Sequence, residues 1–149
     1  NAEEPYCEEL AKAITNEIRR GNRIDTTTKL RNVIEKTLDF LPNNKEKKDI
    51  IKKTCQRTFQ ALRIDVNNEF EVLYEFMEKL PGALKPGGRV AILTFHSGED
   101  KLVKKALKAG YKEGIYSEYA RDVVRPSAQE CAQNGRARST KMRWAVKAE

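Results

Sequence analysis

A run of four apolar residues, Val90 to Leu93, constrains the fold of this chain more than any other feature. The run shows no alternation of apolar and polar residues, which is typical of a parallel strand covered on both faces. A Pro-Gly-Gly turn precedes it, and His96, the only histidine of the chain, follows it. Because chemistry in open α/β sheets lies beyond the carboxyl ends of the strands, this segment predicts a functional site near His96.

The first half of the chain has a different pattern, with apolar residues at helical spacing. This spacing predicts four helices, at about residues 5–20, 26–40, 45–66 and 69–80. Asn68 stands three residues before Glu71, which predicts a cap for the fourth helix, and Tyr74 is predicted to lie on its apolar face. We therefore expect a helical domain over residues 5–80.

After Pro81 the pattern becomes mixed. A helix at about residues 99–109 follows the apolar strand, and two shorter strands are predicted near residues 123–124 and 142–146. Trp144 alternates with charged residues along the last of these strands and is predicted to lie in the core. Residues 81–149 are therefore expected to form a second domain, of the α/β class.

The predicted sheet is incomplete, because an interior parallel strand needs hydrogen-bonded neighbours on both sides. Only two further strand segments are available, both C-terminal to the first and expected on the same side of it. The sequence also contains no G-x-G-x-x-G motif and no P-loop. We expect the chain to be the second half of a larger α/β fold. A position of residues 90–93 at the solvent border of the sheet would argue against this expectation.

The overall charge favours an anionic partner. The chain carries a net charge of +7, which is most often a sign of nucleic-acid binding. No apolar run is long enough for a membrane span, and the N-terminal segment does not resemble a signal peptide. Three widely spaced cysteines fit neither a disulfide framework nor a zinc site, so no metal is expected. A reducing compartment is expected, either the cytoplasm or the interior of an organelle.

Two groups of polar residues are candidates for contacts with nucleic acid. Arg57, Gln60 and Arg63 lie three residues apart and share one face of the third helix. Between Glu130 and Glu149 the chain has no acidic residue. The C-terminal candidates are Arg125, Arg136, Arg138, Lys141 and Arg143. Arginine binds phosphate with two parallel hydrogen bonds, and glutamine can bind the edge of a base. A solvated surface with salt bridges is the alternative for both groups.

His96 is the candidate catalytic residue. Its position at the end of a strand is where the polar groups of a functional site lie in open α/β sheets. The alternative is that His96 caps a helix or binds the backbone. Ser97 with Asp100 is predicted to form a helix cap, and Glu99 is predicted to be a solvated acid of the first helical turn.

Three sequence blocks together resemble the MraW-type (RsmH-type) ribosomal RNA cytosine-N4 methyltransferases. They are RTFQALRIDVNNE at 57–69, LKPGGRVAILTFHSGEDKLVK at 84–104, and VRPSAQECAQNGRARSTKMRWA at 124–145. The resemblance implies a Rossmann-like methyltransferase sheet interrupted by a helical domain that recognises RNA. It also implies S-adenosylmethionine as methyl donor and an N4-methylated cytidine in small-subunit ribosomal RNA as product. With such a product, His96 would orient the exocyclic amine of the substrate or accept its proton.

The resemblance also implies what this chain lacks. The family's glycine-rich donor-binding loop, and the acidic residue that holds the donor's ribose, precede the matched blocks. No donor-binding residue is therefore expected here, and the N-terminal half of the methyltransferase domain is an expected partner. Smaller departures from the family are Gly98 for a leucine, Lys101 for an arginine, Gly135 for a proline and Lys53 for a histidine. The alternative function is a non-catalytic RNA-binding or ribosome-assembly factor.

Overall fold

A computed structural model of the chain describes residues 4–149 and divides them into two compact units, 4–67 and 68–149. The first unit consists of helices α1 (Cys7–Arg19), α2 (Thr27–Thr37) and α3 (Lys45–Asn67). The second unit contains α4 (Glu69–Ala83), β1 (Arg89–Thr94), α5 (Ser97–Lys112), β2 (Tyr116–Tyr119), α6 (Ala128–Gln133), a 3-10 helix (Gly135–Ser139) and β3 (Lys141–Lys147).

The helices of the first unit confirm the predicted pattern. Leu10 of α1 and Leu30, Ile34 and Leu38 of the α2 region form its buried core, against which apolar residues of α3 pack. The Thr26 hydroxyl caps α2 by accepting a hydrogen bond from the backbone N–H of Lys29 at 3.2 Å. Helical periodicity and local capping therefore account for this unit.

Helix α4 belongs to the second unit, although the predicted helical domain extended to residue 80. Met77 and Leu80 of α4 are buried together with Val103 and Leu107 of α5, so the apolar face of α4 packs on α5. The predicted cap of α4 is wrong, because Asn68 adopts a left-handed conformation and its side chain accepts no capping bond. Other apolar residues of α4 remain outside the core, including Tyr74, which is 58% exposed.

The sheet has three strands in the order β1-β3-β2, and both pairings are antiparallel. Both later strands lie on the same side of β1, but only β3 matches a predicted strand, since no strand is predicted over residues 116–119. The prediction of an interior parallel strand is wrong for this chain, because β1 lies at the border of the sheet. The strand predicted at 123–124 is reduced to a single bridge between Val124 and Met142.

One face of the sheet is covered by helices and the other is not. Val90 and Ile92 of β1 pack into the core with Ala145 of β3, which is fully buried. The opposite face carries Leu93, which is 57% exposed. Trp144 is only half-buried on that second face, where it pairs with Ala91, because Arg143 and Ala145 take the inward positions of β3. The prediction that Trp144 lies in the core is therefore wrong.

The second unit is thus a small α/β assembly consistent with part of a methyltransferase fold. Helices cover one face of its sheet, while the outer edge of β1 and the second face of that strand remain exposed. Within residues 4–149, no helix is both long enough and apolar enough to cross a membrane.

Candidate functional site

The end of β1 leads directly into α5, and His96 stands at the junction. Its backbone is extended, and its Nδ1 accepts a hydrogen bond from the backbone N–H of Glu99 at 3.4 Å. His96 is therefore the N-cap of α5, the alternative role that the sequence left open. The predicted cap by Ser97 and Asp100 is wrong, because the Asp100 carboxylate is bound to Arg143.

Side chains from α4 and α5 hold the imidazole of His96 on several sides. The Phe70 ring meets it edge to face, with ring centroids 5.8 Å apart. Glu99 places one carboxylate oxygen 3.2 Å from His96 Nε2 and accepts the Phe95 N–H with the other. Glu99 is therefore partly buried and engaged, and the prediction of a solvated acid is wrong.

Gly98 makes this arrangement possible. A Cβ atom at residue 98 would lie 2.7 Å from Phe70 Cζ and 3.2 Å from His96 Nδ1. The Phe70 ring thus occupies the space that a larger side chain at residue 98 would need. Gly98 stands where the resembled family usually has leucine, and the lack of a side chain at residue 98 leaves room for the Phe70 ring.

Glu69, His96 and Glu99 form a cluster in which one potential metal-ligand atom of each lies within 4.8 Å of the others. A metal ion would require a free lone pair on His96 Nε2. Because Nδ1 already accepts a hydrogen bond, Nε2 carries the proton in the neutral ring. Both carboxylates also stand in the first turn of a helix, where the helix dipole favours negative charge. The cluster therefore fits the orientation of an imidazole better than the binding of a cation.

The strongest polar contact of the second unit joins α5 to β3. Arg143 binds Asp100 through two bonds, Nε to Oδ1 at 2.7 Å and Nη2 to Oδ2 at 3.2 Å. Its Nη1 also donates to the carbonyl oxygens of Ala120 and Arg121. The hydrogen bond from Arg143 holds the pKa of Asp100 below its usual range, against the opposing effect of burial.

The prediction that Arg143 contacts RNA is therefore wrong. Arg143 is only 5% exposed, and its guanidinium is fully engaged inside the protein. The sequence predicts an exposed Arg143 because Lys141, Arg143 and Lys147 alternate with apolar residues, a pattern that is typical of a solvated strand face. The partner, Asp100, lies 43 residues earlier, and no local signal connects the two.

The remaining C-terminal candidates form a surface that we call the C-terminal basic loop, defined as Arg125, Arg136, Arg138 and Lys141. Arg136 and Arg138 are exposed on the 3-10 helix, which the Asn134 side chain caps. Arg125 is also exposed, and its Nη1 donates to the carbonyl oxygen of Thr140 at 3.3 Å. Lys141 is half-buried at the start of β3. These side chains offer positive charge around one short segment.

The candidate residues on α3 are placed differently. Arg57 forms an ion pair with Glu4, whose side chain is only 8% exposed and also accepts a hydrogen bond from Thr54. Gln60 is half-buried and Arg63 is exposed. Arg57 thus has a structural role inside the first unit. Contacts between this group and RNA stay a prediction.

The outer edge of β1 is a further candidate interface. Lys147 donates its N–H to the carbonyl oxygen of Gly88 at 2.8 Å. With the register of the two strands, this bond shows which residues of β1 direct their backbone groups toward β3. Because antiparallel strands alternate their bonding direction, Val90 and Ile92 bond toward β3, whereas Ala91 and Leu93 direct their backbone groups away from it. An apolar edge of this kind is a template for another strand.

Comparison with known proteins identifies the family. The profile of the MraW methylase family matches residues 1–148. The chain belongs to this family. It is 87% identical over its whole length to "Ribosomal RNA small subunit methyltransferase H 1" of Agathobacter rectalis, 42% of which it covers. It is 70% identical over 99% of its length to the protein of the same name from Lachnoclostridium phytofermentans, 40% of which it covers.

The length of these MraW relatives matters for the interpretation of the sheet. The chain spans about two fifths of each of the two relatives. A third relative, "Ribosomal RNA small subunit methyltransferase H 2" of Alkaliphilus metalliredigens, is 59% identical and is likewise covered to 42%. The MraW relatives therefore contain a larger portion that has no counterpart in this chain.

Proposed function

We propose that this chain supplies the RNA-recognition helices and the second half of the catalytic sheet of an S-adenosylmethionine-dependent rRNA methyltransferase. The reaction would methylate N4 of a cytidine in small-subunit ribosomal RNA. The observation that carries the proposal is the 87% identity, over the whole chain, to a relative named as a small-subunit ribosomal RNA methyltransferase. Its place of action would be where small subunits are assembled, in the cytoplasm or inside an organelle.

The remaining part of the enzyme would complete the sheet along β1. Ala91 and Leu93 are exposed on β1, and their backbone groups point to the open edge. The relatives provide more than half of their length for a partner segment. The border position of β1 by itself argues against a larger fold, and the proposal accounts for it by a segment of the complete protein that pairs with the open edge of β1. Donor-binding residues would lie in the missing portion, since this chain contains no glycine-rich donor loop.

Methyl transfer to an exocyclic amine depends chiefly on presenting the nitrogen in line with the methyl group of the donor and excluding water. His96 lies at the strand end, where the Phe70 ring packs against its imidazole and a Glu99 oxygen lies 3.2 Å from Nε2 without forming a hydrogen bond. We propose that His96 helps to orient the amine once the complete site is assembled, because its Nδ1 accepts the capping bond of α5 and is not free to accept a proton. S-adenosylmethionine would supply the electrophilic methyl group.

The substitution His96→Asn separates catalysis from capping. Asparagine is among the best N-cap residues, so this variant is expected to keep α5 folded. Loss of the imidazole is expected to lower methyl transfer by about 10²-fold, the usual effect of misplacing a reacting group. The measurement is methyl transfer to small-subunit RNA by the full-length enzyme. RNA affinity and melting temperature serve as controls, and wild-type turnover would limit His96 to its capping role.

The double variant Arg136→Ala with Arg138→Ala tests the C-terminal basic loop. If both arginines contact phosphate, the slope of log affinity against log salt should become shallower by about 0.7–0.9 per lost contact. The double variant Lys105→Ala with Lys108→Ala removes the same charge from exposed positions of α5 and is the matched control. Equal slopes for the two double variants would contradict a specific role for the loop.

A second candidate is a non-catalytic RNA-binding or ribosome-assembly factor. Such a protein would use the exposed Arg136 and Arg138 to bind RNA and would need no methyl donor. The two functions differ in one property that can be measured, the binding of S-adenosylmethionine.

A further inference from the structure

We propose that a cleft between the end of α1 and the side of α2 binds one unpaired nucleotide of the RNA, with a preference for bases that carry an amino group. The inference rests on the proposed function, since it assumes that RNA is the partner. It adds a defined binding site in the first unit, separate from the group on α3, none of whose residues line the cleft.

The cleft has the size and the cations that a nucleotide requires. Its volume is about 440 Å³, within the range of pockets that bind small ligands. Arg23 and Lys36 both line it and are both exposed. Among residues 4–149, neither side chain forms a hydrogen bond or an ion pair, so both are available to a phosphate. Lys29, also in the lining, is paired with Asp25 at 2.6 Å.

The cleft also contains groups that a bare anion would not need. Glu17 presents a carboxylate that would repel phosphate but can accept hydrogen bonds from an amino group. One of its oxygens accepts a bond from Asn22 at 2.8 Å, and the other lies 3.9 Å from the Arg20 guanidinium. The Asn32 side chain, with both a donor and an acceptor, is part of the same lining.

This mixture of groups matches a nucleotide. The cations suit its phosphate, while a carboxylate and an amide suit the edge of a base with an exocyclic amine, namely cytosine, adenine or guanine. Uracil has no such amine and would leave Glu17 facing a carbonyl oxygen. Ile24 and Val33 add an apolar surface to the lining. Recognition of splayed single-stranded bases in this manner is the usual mode of sequence-dependent RNA binding.

The experiment compares binding of fluorescent oligocytidylate and oligouridylate by the whole chain. We expect tighter binding of oligocytidylate. Arg23→Ala with Lys36→Ala should weaken binding of both by about tenfold and reduce the salt slope by about 0.7 per lost contact. Glu17→Gln should remove the preference for cytidine. The matched control is again Lys105→Ala with Lys108→Ala.

The possible outcomes separate this inference from the proposed function. If the wild-type chain binds RNA and the Arg23 and Lys36 variant binds equally well, the cleft is not the site, while the proposed function stands. Equal binding of both oligomers by the wild-type chain would overturn the base preference. Competition by polyglutamate as effective as that by oligocytidylate would assign the cleft to an acidic peptide instead. A wild-type chain that binds neither RNA would count against the inference and the proposed function together.

Discussion

Asp100→Ala is expected to lower the free energy of unfolding of the second unit by about 3–5 kcal/mol, the cost of leaving one partner of a buried ion pair unpaired. Arg143 would remain charged and 5% exposed, with both bonds to Asp100 lost. Its bonds to Ala120 and Arg121 would lose their fixed geometry as well. Urea denaturation followed by far-ultraviolet circular dichroism measures the effect.

An exposed ion pair of the same chain provides the control. Asp25 pairs with Lys29 on the surface of the first unit, with both side chains about half exposed. Asp25→Ala should therefore leave the free energy of unfolding nearly unchanged. Replacing both buried partners, as Asp100→Leu with Arg143→Met, should cost less than the sum of the two single changes. A loss below 1 kcal/mol for Asp100→Ala would contradict the structural role of the pair.

The same pair predicts how stability depends on pH. The hydrogen bond that Arg143 donates to Asp100 lowers the pKa of the Asp100 carboxyl in the folded state. The stabilisation is therefore fully present above the unfolded-state pKa, about 3.9, and is lost as pH falls through the lower folded pKa. The difference in stability between wild type and Asp100→Ala should shrink below about pH 4. A difference that stays constant down to pH 2 would contradict this assignment.

Binding of S-adenosylmethionine is expected to change from undetectable to readily measured when the chain is joined to the portion that its relatives carry outside the matched region. The chain alone contains no glycine-rich donor loop, and its relatives hold more than half of their length outside the matched region. Calorimetry on this chain, and on the chain joined to the remaining part of the protein, measures the effect. The joined protein should bind donor and the isolated chain should not.

The controls for donor binding follow from the fold. Asp25→Ala in the joined protein changes an exposed ion pair and should leave donor binding unaffected. If the joined protein is folded, binds RNA and still does not bind donor, the non-catalytic function replaces the methyltransferase. Strong donor binding by the isolated chain would contradict the proposal that the donor site lies outside it.

The helices could be predicted because their signals are local. Leu10 and Ile34 recur at helical spacing, and Thr26 begins α2 by a bond to a residue three positions later. The failures involve contacts between distant residues. The sequence predicts Arg143 at the surface because its partner Asp100 lies far away in sequence. Ala91 and Leu93, which face away from the core, are as apolar as Val90 and Ile92, which face it. The sequence alone therefore cannot show whether this chain or another segment covers the second face of β1.

The candidate site shows the same limit. The position of His96 after a strand predicted a functional role and left a capping role open, and the structure places it as the cap of α5. The choice of His96 over Ser97 as cap depends on where α5 begins, and sequence patterns locate helix ends poorly. The cleft around Arg23 and Lys36 gave no sequence signal, because a loop and two helical turns separate its residues.

Hydrogen exchange along β1 tests the central claim most directly. In the isolated chain, the amides of Val90 and Ile92 bond to β3 and should exchange slowly, whereas those of Ala91 and Leu93 face the open edge and should exchange fast. In the protein joined to its remaining part, all four amides should be protected. Protection of Ala91 and Leu93 in the isolated monomer, or fast exchange of both in the complete protein, would contradict the account.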